Sequence, residues 1–340
     1  MASVRSTKVI LTILNLRIFI ALIIVMVYFS LTTTNFLSQS NLLIMAKHLT
    51  VIAVMALGMT LVILTGGIDL SVGSIVGISG MVAGYLILYG LPFGDSVIFF
   101  NPVEVALIAC LLGAMIGSAN GYLITSLGVP PFIATLGTMY IVRGAAMLSN
   151  NGATFANLVG HPELGNTGFN LIGNGTFMWL STPVWILIAL SIVTIFIVRK
   201  TPLGRHIYAV GGNEQAARFS GIRTNRVRIF VYAFSGFCAA VVGLIITSQL
   251  ESAHPGAGNT FEMNAIAAVV LGGTSLSGGR GTVIGSIVGA CVICALNDGM
   301  VMSGISEFWQ MVIKGSVIVL AVVIDQLQQR LQARVLASAG

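Results

Sequence analysis

The sequence predicts an all-α polytopic membrane protein of about ten transmembrane helices, with a glycine-rich internal repeat and discontinuous helices. Three observations carry that reading. Of 340 residues, 56% are hydrophobic and 8% charged, and the mean hydropathy is +0.99; a soluble domain of this size needs far more charge to cover its surface. Apolar runs recur at about the length that crosses a hydrocarbon core roughly 30 Å thick, which at 1.5 Å per helical residue is about 20 residues. Lysine and arginine gather on one side of those runs.

The predicted spans are 17–34, 42–65, 71–90, 103–126, 129–148, 182–198, 229–249, 263–276, 282–301 and 308–326. The first is long and flanked by Arg17, with no small-residue cleavage site after it, so it reads as an uncleaved span rather than a signal peptide. With the N-terminus inside, Arg5, Lys8, Arg17, Arg199, Lys200, Arg205, Arg218, Arg223, Arg226, Arg228, Arg280, Arg330 and Arg334 are all cytoplasmic. Lys47, Arg143 and Lys314 lie within or at the ends of spans, and Asp95, Glu163, Glu251 and Glu307 lie outside. This positive-inside pattern requires an even number of spans and places both termini in the cytoplasm. The net charge of +6 is therefore a matter of topology, and no nucleic-acid partner is expected.

Two hydrophilic segments interrupt the spans. The outer one, Ser149 to Ser181, is rich in Asn and Gly and has no basic residue; the inner one, 199–228, is the most highly charged stretch. No linker divides the chain, which reads as one transmembrane domain over 1–340 with a docking surface. The cysteines Cys110, Cys238, Cys291 and Cys294 all fall in apolar segments, so Cys291 and Cys294 read as small packing residues rather than an exposed redox pair. The four histidines, His48, His161, His206 and His254, have no metal-ligand spacing. No metal, cofactor or catalytic constellation is expected.

The run LSGGRG at Leu276–Gly281 resembles the signature of ATP-binding-cassette ATPases. A phosphate-cradling loop also needs G-x-x-x-x-G-K-[ST], and none of the four lysines, Lys8, Lys47, Lys200 and Lys314, follows a glycine. The run is better explained by repetition. GGIDLSVG (Gly66–Gly73) and GGTSLSGG (Gly272–Gly279) match at five identities, with Asp69 opposite Ser275 as a small polar pair. Each copy follows an apolar run and precedes a glycine-rich helix. Corresponding breaks in two halves of a transporter mark internal symmetry, and unwound backbone is tolerated where it is buried or lines a cavity. Gly66, Gly67, Asp69, Ser71, Gly272, Gly273, Ser277 and Gly279 are the predicted repeat and gate residues. Asp69 is expected to cap the helix beginning near Leu70.

In the inner loop, GNEQAARFSGIRTNRVRIF (Gly211–Phe230) reads as a short helix, a glycine and a basic return to the membrane. Asn213 is the expected N-cap, Glu214 complements the helix dipole, and Gly221 suits a left-handed C-terminal cap. Ala216 and Ala217 remove bulk, so that another protein's groove can approach. The plainer alternative is a solvated loop whose arginines fix topology.

Four blocks carry a family resemblance: MALGMTLVILTGGIDLSVGS (Met55–Ser74), PFIATLGTMYIVRG (Pro131–Gly144), TPLGRHIYAVGGNEQAARFSGI (Thr201–Ile222) and AIAAVVLGGTSLSGGRGTVIG (Ala265–Gly285). From about residue 40 to residue 325 the chain resembles the ribose-type monosaccharide permeases of bacterial ATP-binding-cassette importers. The resemblance implies an inner-membrane pathway formed by two permease subunits, the second a copy or a relative. It also implies two separate ATPase subunits beneath them and a periplasmic sugar-binding protein that delivers the cargo. By this resemblance Glu214, Ala216, Ala217 and Gly221 fall on the coupling helix that docks in the ATPase, and the chain itself binds no nucleotide. Ribose is the first expectation; other pentoses, hexoses and polyols use the same scaffold.

Polar residues within spans are costly and face the bundle interior. Asn120, Thr135, Thr138 and Asn297 are the candidates for a path taken by a neutral sugar, with Arg143, Asp298, Gln310 and Lys314 as further polar positions. The bland reading is interhelical bonding, Asp298 with Lys314 for instance, and Arg143 snorkelling to the outer interface. An ion-coupled secondary transporter is the alternative function; it needs an acid near the midplane, and Asp298 is the nearest.

Overall fold

A computed structural model describes residues 18–320, 322 and 323. The basic residues Arg5, Lys8, Arg17, Arg330 and Arg334 and the end of the last predicted span lie outside the described residues. Among the described residues thirteen α-helices follow in chain order. They are α1 (Ile18–Thr32), α2 (Gln39–Leu64), α3 (Val72–Leu88), α4 (Pro102–Ser126), α5 (Pro131–Leu148), α6 (Leu171–Asn174) and α7 (Thr182–Lys200). Then come α8 (Pro202–Gly212), α9 (Glu214–Phe219), α10 (Thr224–Leu250), α11 (Phe261–Leu271), α12 (Val283–Met302) and α13 (307–320). Among the described residues six helices, α2, α4, α5, α7, α10 and α12, are long and apolar enough to cross a membrane, and α1, α3 and α11 are shorter apolar helices. Among the described residues each of the ten predicted segments overlaps a helix. The largest departures are α10, which begins at Thr224 where 229 was expected, and α11, which stops at Leu271 where 276 was expected because Gly272 and Gly273 end it.

Helix starts follow local chemistry. Asn101 opens α4 with a full capping box: its side chain accepts from Val103 and Glu104, and Glu104 accepts from the Asn101 N–H. Thr201 caps α8 ahead of Pro202, and Thr282 caps α12 by accepting the Gly285 N–H at 3.0 Å. The charged segment 199–228 thus holds a second helix, α8, beside the short one its sequence predicts. The segment 149–181 is folded as well: Phe155–Ala156 pairs antiparallel with Ser252–Ala253, and Thr176–Phe177 with Leu180–Ser181.

α10 is the hub, packing on α4, α2 and α3. Its contact with α4 is made by backbone, because Gly113, Gly117 and Gly121 of α4 lie against Gly236, Tyr232 and Ile229 of α10. Any Cβ at Gly117 would run into the Tyr232 carbonyl. Lipid is as apolar as leucine, so helices associate where small residues bring backbones together. The C-terminal half of α2, Ile52 to Leu64, is buried all round, as expected of a helix without a polar face.

Candidate functional site

The two glycine breaks meet. The N–H of Gly279 donates to the Leu64 carbonyl at 2.9 Å, which ties the second break to the last turn of α2. Gly211, at the end of α8, lies against that same Leu64 carbonyl and the Gly279 N–H, and Gly212 touches Gly279. Gly278 sits beside the backbone of Gly211 and Gly66 at φ +83°. Three chain segments are stacked through glycine because side chains do not fit between them. The Tyr208 hydroxyl of α8 donates to the Gly281 carbonyl at 2.8 Å, and its burial raises the hydroxyl above its ordinary value.

From this junction the chain passes directly into α9. Asn213 caps α9 by accepting the Ala216 N–H at 2.9 Å. Gly221, at φ +82°, completes a Schellman end: its N–H donates to the Arg218 carbonyl and that of Ile222 to the Ala217 carbonyl. The faces differ from the sequence reading. Ala217 is buried against the rest of the chain while Ala216 is exposed. Glu214 is held at 2.7 Å by Arg228 of α10 and at 3.8 Å by Arg218. The residue presented outward is Phe219, 91% exposed, which is not among the residues singled out from the sequence.

The first break contains a buried polar chain. Asp69 is fully buried. One carboxylate oxygen accepts from the Ser71 N–H at 3.0 Å and the Ser71 hydroxyl at 2.6 Å, and the other from the Ser235 hydroxyl at 2.9 Å. The helix expected to begin near Leu70 begins at Val72, so Ser71 occupies the N-cap and Asp69, two residues before it, binds Ser71 itself. Asn120 donates to the Ser71 hydroxyl at 2.9 Å and accepts from Thr138 at 2.6 Å. Thr135 donates to the Pro131 carbonyl at 2.9 Å and to that of Ile68 at 3.3 Å. Asn120 and Thr138 therefore join the Asp69–Ser71 network between α3, α4 and α5, and Thr135 bonds beside it to the backbone of the first break.

Asn297 lies elsewhere, in a cleft of about 300 Å³ where α2, α10, α11 and α12 converge. Asp298 is in the same cleft, paired with His48 at 2.8 Å instead of with Lys314. Arg143 does not snorkel; it donates to the carbonyls of Pro255, Ala257 and Gly73, holding the turn before α11 against α3. Among the described residues no group of three or more His, Cys, Asp and Glu side chains is placed to hold a metal.

Residues 41–322 match the family described as branched-chain amino acid transport system / permease component. The chain is 41% identical over 308 residues to the ribose import permease protein RbsC of Bacillus subtilis (strain 168), covering 91% of each chain. It is 40% identical over 317 residues to the protein of that name from Escherichia coli (strain K12), covering 91% of this chain and 93% of that one. The xylose transport system permease protein XylH of Escherichia coli (strain K12) is 33% identical over 376 residues, covering 93% of each. No solved structure matches the chain. A bundle of apolar helices with glycine-stacked breaks, matched over nearly its whole length, belongs to the family of permease components of transport systems.

Proposed function

We propose that this chain is the permease subunit of a bacterial ATP-binding-cassette importer of monosaccharides, ribose or a related sugar first among them. It works with a separate ATPase, a periplasmic binding protein and a second permease subunit, in the inner membrane, with ten spans and both termini cytoplasmic. The likeness to ribose and xylose permeases supports the substrate class. One observation carries the mechanism: α9 is continuous with a glycine-stacked junction that touches both repeat breaks at once.

The physical consequence is a lever. α9 docks in the ATPase through Phe219, an aromatic anchor with its ring in solvent. Glu214 sets the pose of α9 by its ion pair with Arg228 at the base of α10. ATPase closure displaces α9, α8 follows, and the junction carries the displacement to the ends of α2, α11 and α12. Stacked backbones transmit it well because no flexible side chain lies between them. Gly66, Gly67, Gly272, Gly273, Ser277 and Gly279 serve as the gate's hinge points, with Asp69 and Ser71 anchoring the first break. Asn120, Thr135 and Thr138 support the wall of the path, and Asn297 faces it.

The experiment is uptake of labelled D-ribose by proteoliposomes holding the permease, its ATPase and its binding protein. Accumulation that requires internal ATP and survives a protonophore supports the reading; unlabelled leucine in excess leaves it unchanged. The His48–Asp298 pair favours one competitor, a proton-coupled transporter, and uptake abolished by the protonophore would establish it. Glu214→Lys and Phe219→Ala lower ATPase co-purification and uptake together, each by about tenfold or more, the size of one lost interfacial anchor. Retention of both sinks the coupling assignment.

A further inference from the structure

We propose that the cleft between α2, α10, α11 and α12 is a binding site for the transported solute, and that it selects a small neutral polyol by hydrogen bonding. The proposal rests on the import reading above and deepens it. His48 of α2, Gln249 of α10, Asn264 of α11, and Asn297 and Asp298 of α12 converge on a cavity of about 300 Å³, with the Phe261 ring as part of its wall. That volume is at the small end for ligand sites, which run from about 300 to 1,000 Å³.

The chemistry of the lining decides the ligand class. Five polar side chains in an apolar bundle are a costly concentration, and three of them are uncharged amides. The Asn297 carbonyl oxygen is buried and lacks a hydrogen-bond partner among the described residues. A buried acceptor left unpaired is destabilising, so it calls for a donor such as a solute hydroxyl. The acid of the cleft is matched internally: Asp298 is held by His48 and also accepts from the Cys294 thiol at 3.6 Å. A pair already satisfied leaves little net field for an ion, whereas free amide groups suit alternating hydroxyls. Phe261 offers an apolar surface to the C–H face of a sugar ring. The lining fits a monosaccharide better than an anion or a zwitterion.

Position agrees with chemistry. His48 lies 16 residues before Leu64 along α2, about 24 Å at the helical rise. The cleft is therefore near the end of the bundle opposite the glycine junction, on the side where a binding protein would release its cargo. Three of its four helices reach the junction with their other ends: α2 at Leu64, α11 at Gly272 and α12 at Thr282. Movement of the junction thus moves the cleft walls.

The test uses Asn297→Leu and, separately, Asn264→Leu in the complete complex with ATPase and binding protein. Each variant is expected to co-purify with the ATPase like wild type while the initial rate of labelled D-ribose uptake falls about tenfold, the effect of one ligand hydrogen bond lost in a buried site. Wild-type uptake in both variants would overturn the assignment while leaving the import reading intact. Loss of complex assembly in both would overturn it too, because the residues would then serve folding. A wild-type complex that accumulates no ribose defeats the import reading first, and this one with it.

Discussion

The two copies of the glycine repeat begin alike and end differently. α2 ends at Leu64 and α11 at Leu271, and each is closed by a Schellman motif with a glycine in the left-handed region: Gly66 at φ +77° and Gly273 at φ +83°. The sequence repeat aligns Gly66 with Gly272, so the second helix runs one residue further than its partner. Beyond the cap the copies part. The first buries Asp69 and hands the chain to α3, which packs on α10, α5 and α4; the second stays partly exposed and folds α12 back along α11. The first copy is an anchor held by a carboxylate. The second is a glycine-stacked contact with α8, at the place where force is proposed to enter. Similar octapeptides acquire different duties from what surrounds them.

That asymmetry can be broken at graded cost. Asp69→Ala should be the most damaging change, about 4 kcal/mol, because it leaves the Ser71 N–H and hydroxyl and the Ser235 hydroxyl buried and short of an acceptor. Ser275→Ala, the equivalent position, removes the acceptor of the Ser277 N–H and should cost about 1 kcal/mol. Thermal unfolding in detergent checks both; equal losses would mean the copies are equivalent after all. Gly279→Val comes next, about 3 kcal/mol, since its φ of +70° disfavours a β-branched residue and its Cβ would meet the Gly212 backbone at 2.9 Å. It should also uncouple ATP hydrolysis from uptake, which a defect of stability alone would not.

Gly66→Ala sharpens the comparison. It carries the same left-handed strain, but its Cβ meets nothing nearer than the Ser277 carbonyl at 3.8 Å, so the strain alone is expected, about 1.5 kcal/mol. A loss as large as that of Gly279→Val would show the first break to be as tightly stacked as the second. The smallest effect belongs to Tyr208→Phe, about 1 kcal/mol for the bond to Gly281. Burial raises the Tyr208 hydroxyl above its ordinary value of 10, with Arg199 opposing in part. The folded state therefore holds this proton more tightly than the unfolded chain. Its contribution is complete below pH about 10 and is lost as pH rises through the folded value. Melting temperatures on either side of pH 10 should diverge less in Tyr208→Phe than in wild type.

The ends of α9 were legible because a cap is local: Asn213 reaches Ala216, and Gly221 reaches Arg218, all within one turn of written sequence. The ten apolar segments were legible for a similar reason, since a helix in lipid satisfies its backbone within itself. Partners far apart in sequence were not. Asp298 was matched to Lys314, 16 residues on, yet its partner His48 lies 250 residues away. Asp69 was read as a cap, and its second partner, Ser235, is 166 residues distant. Composition has no term for such distances. Likewise, that Ala217 turns inward and Phe219 outward depends on how α9 is rotated by the Glu214–Arg228 pair, which six residues of helix cannot specify alone.

Hydropathy, charge placement and glycine spacing by themselves determined that this chain is a membrane bundle interrupted twice by the same motif, because each is a property of single segments in lipid or of a few adjacent peptide units. Only the tertiary structure decided that the two interruptions touch, that α8 seals them, and that Asn297 shares a cleft with His48 and Gln249. Those facts depend on which helix faces which. Such orientation follows from close packing of small residues across helices, a quantity that no window along one segment contains.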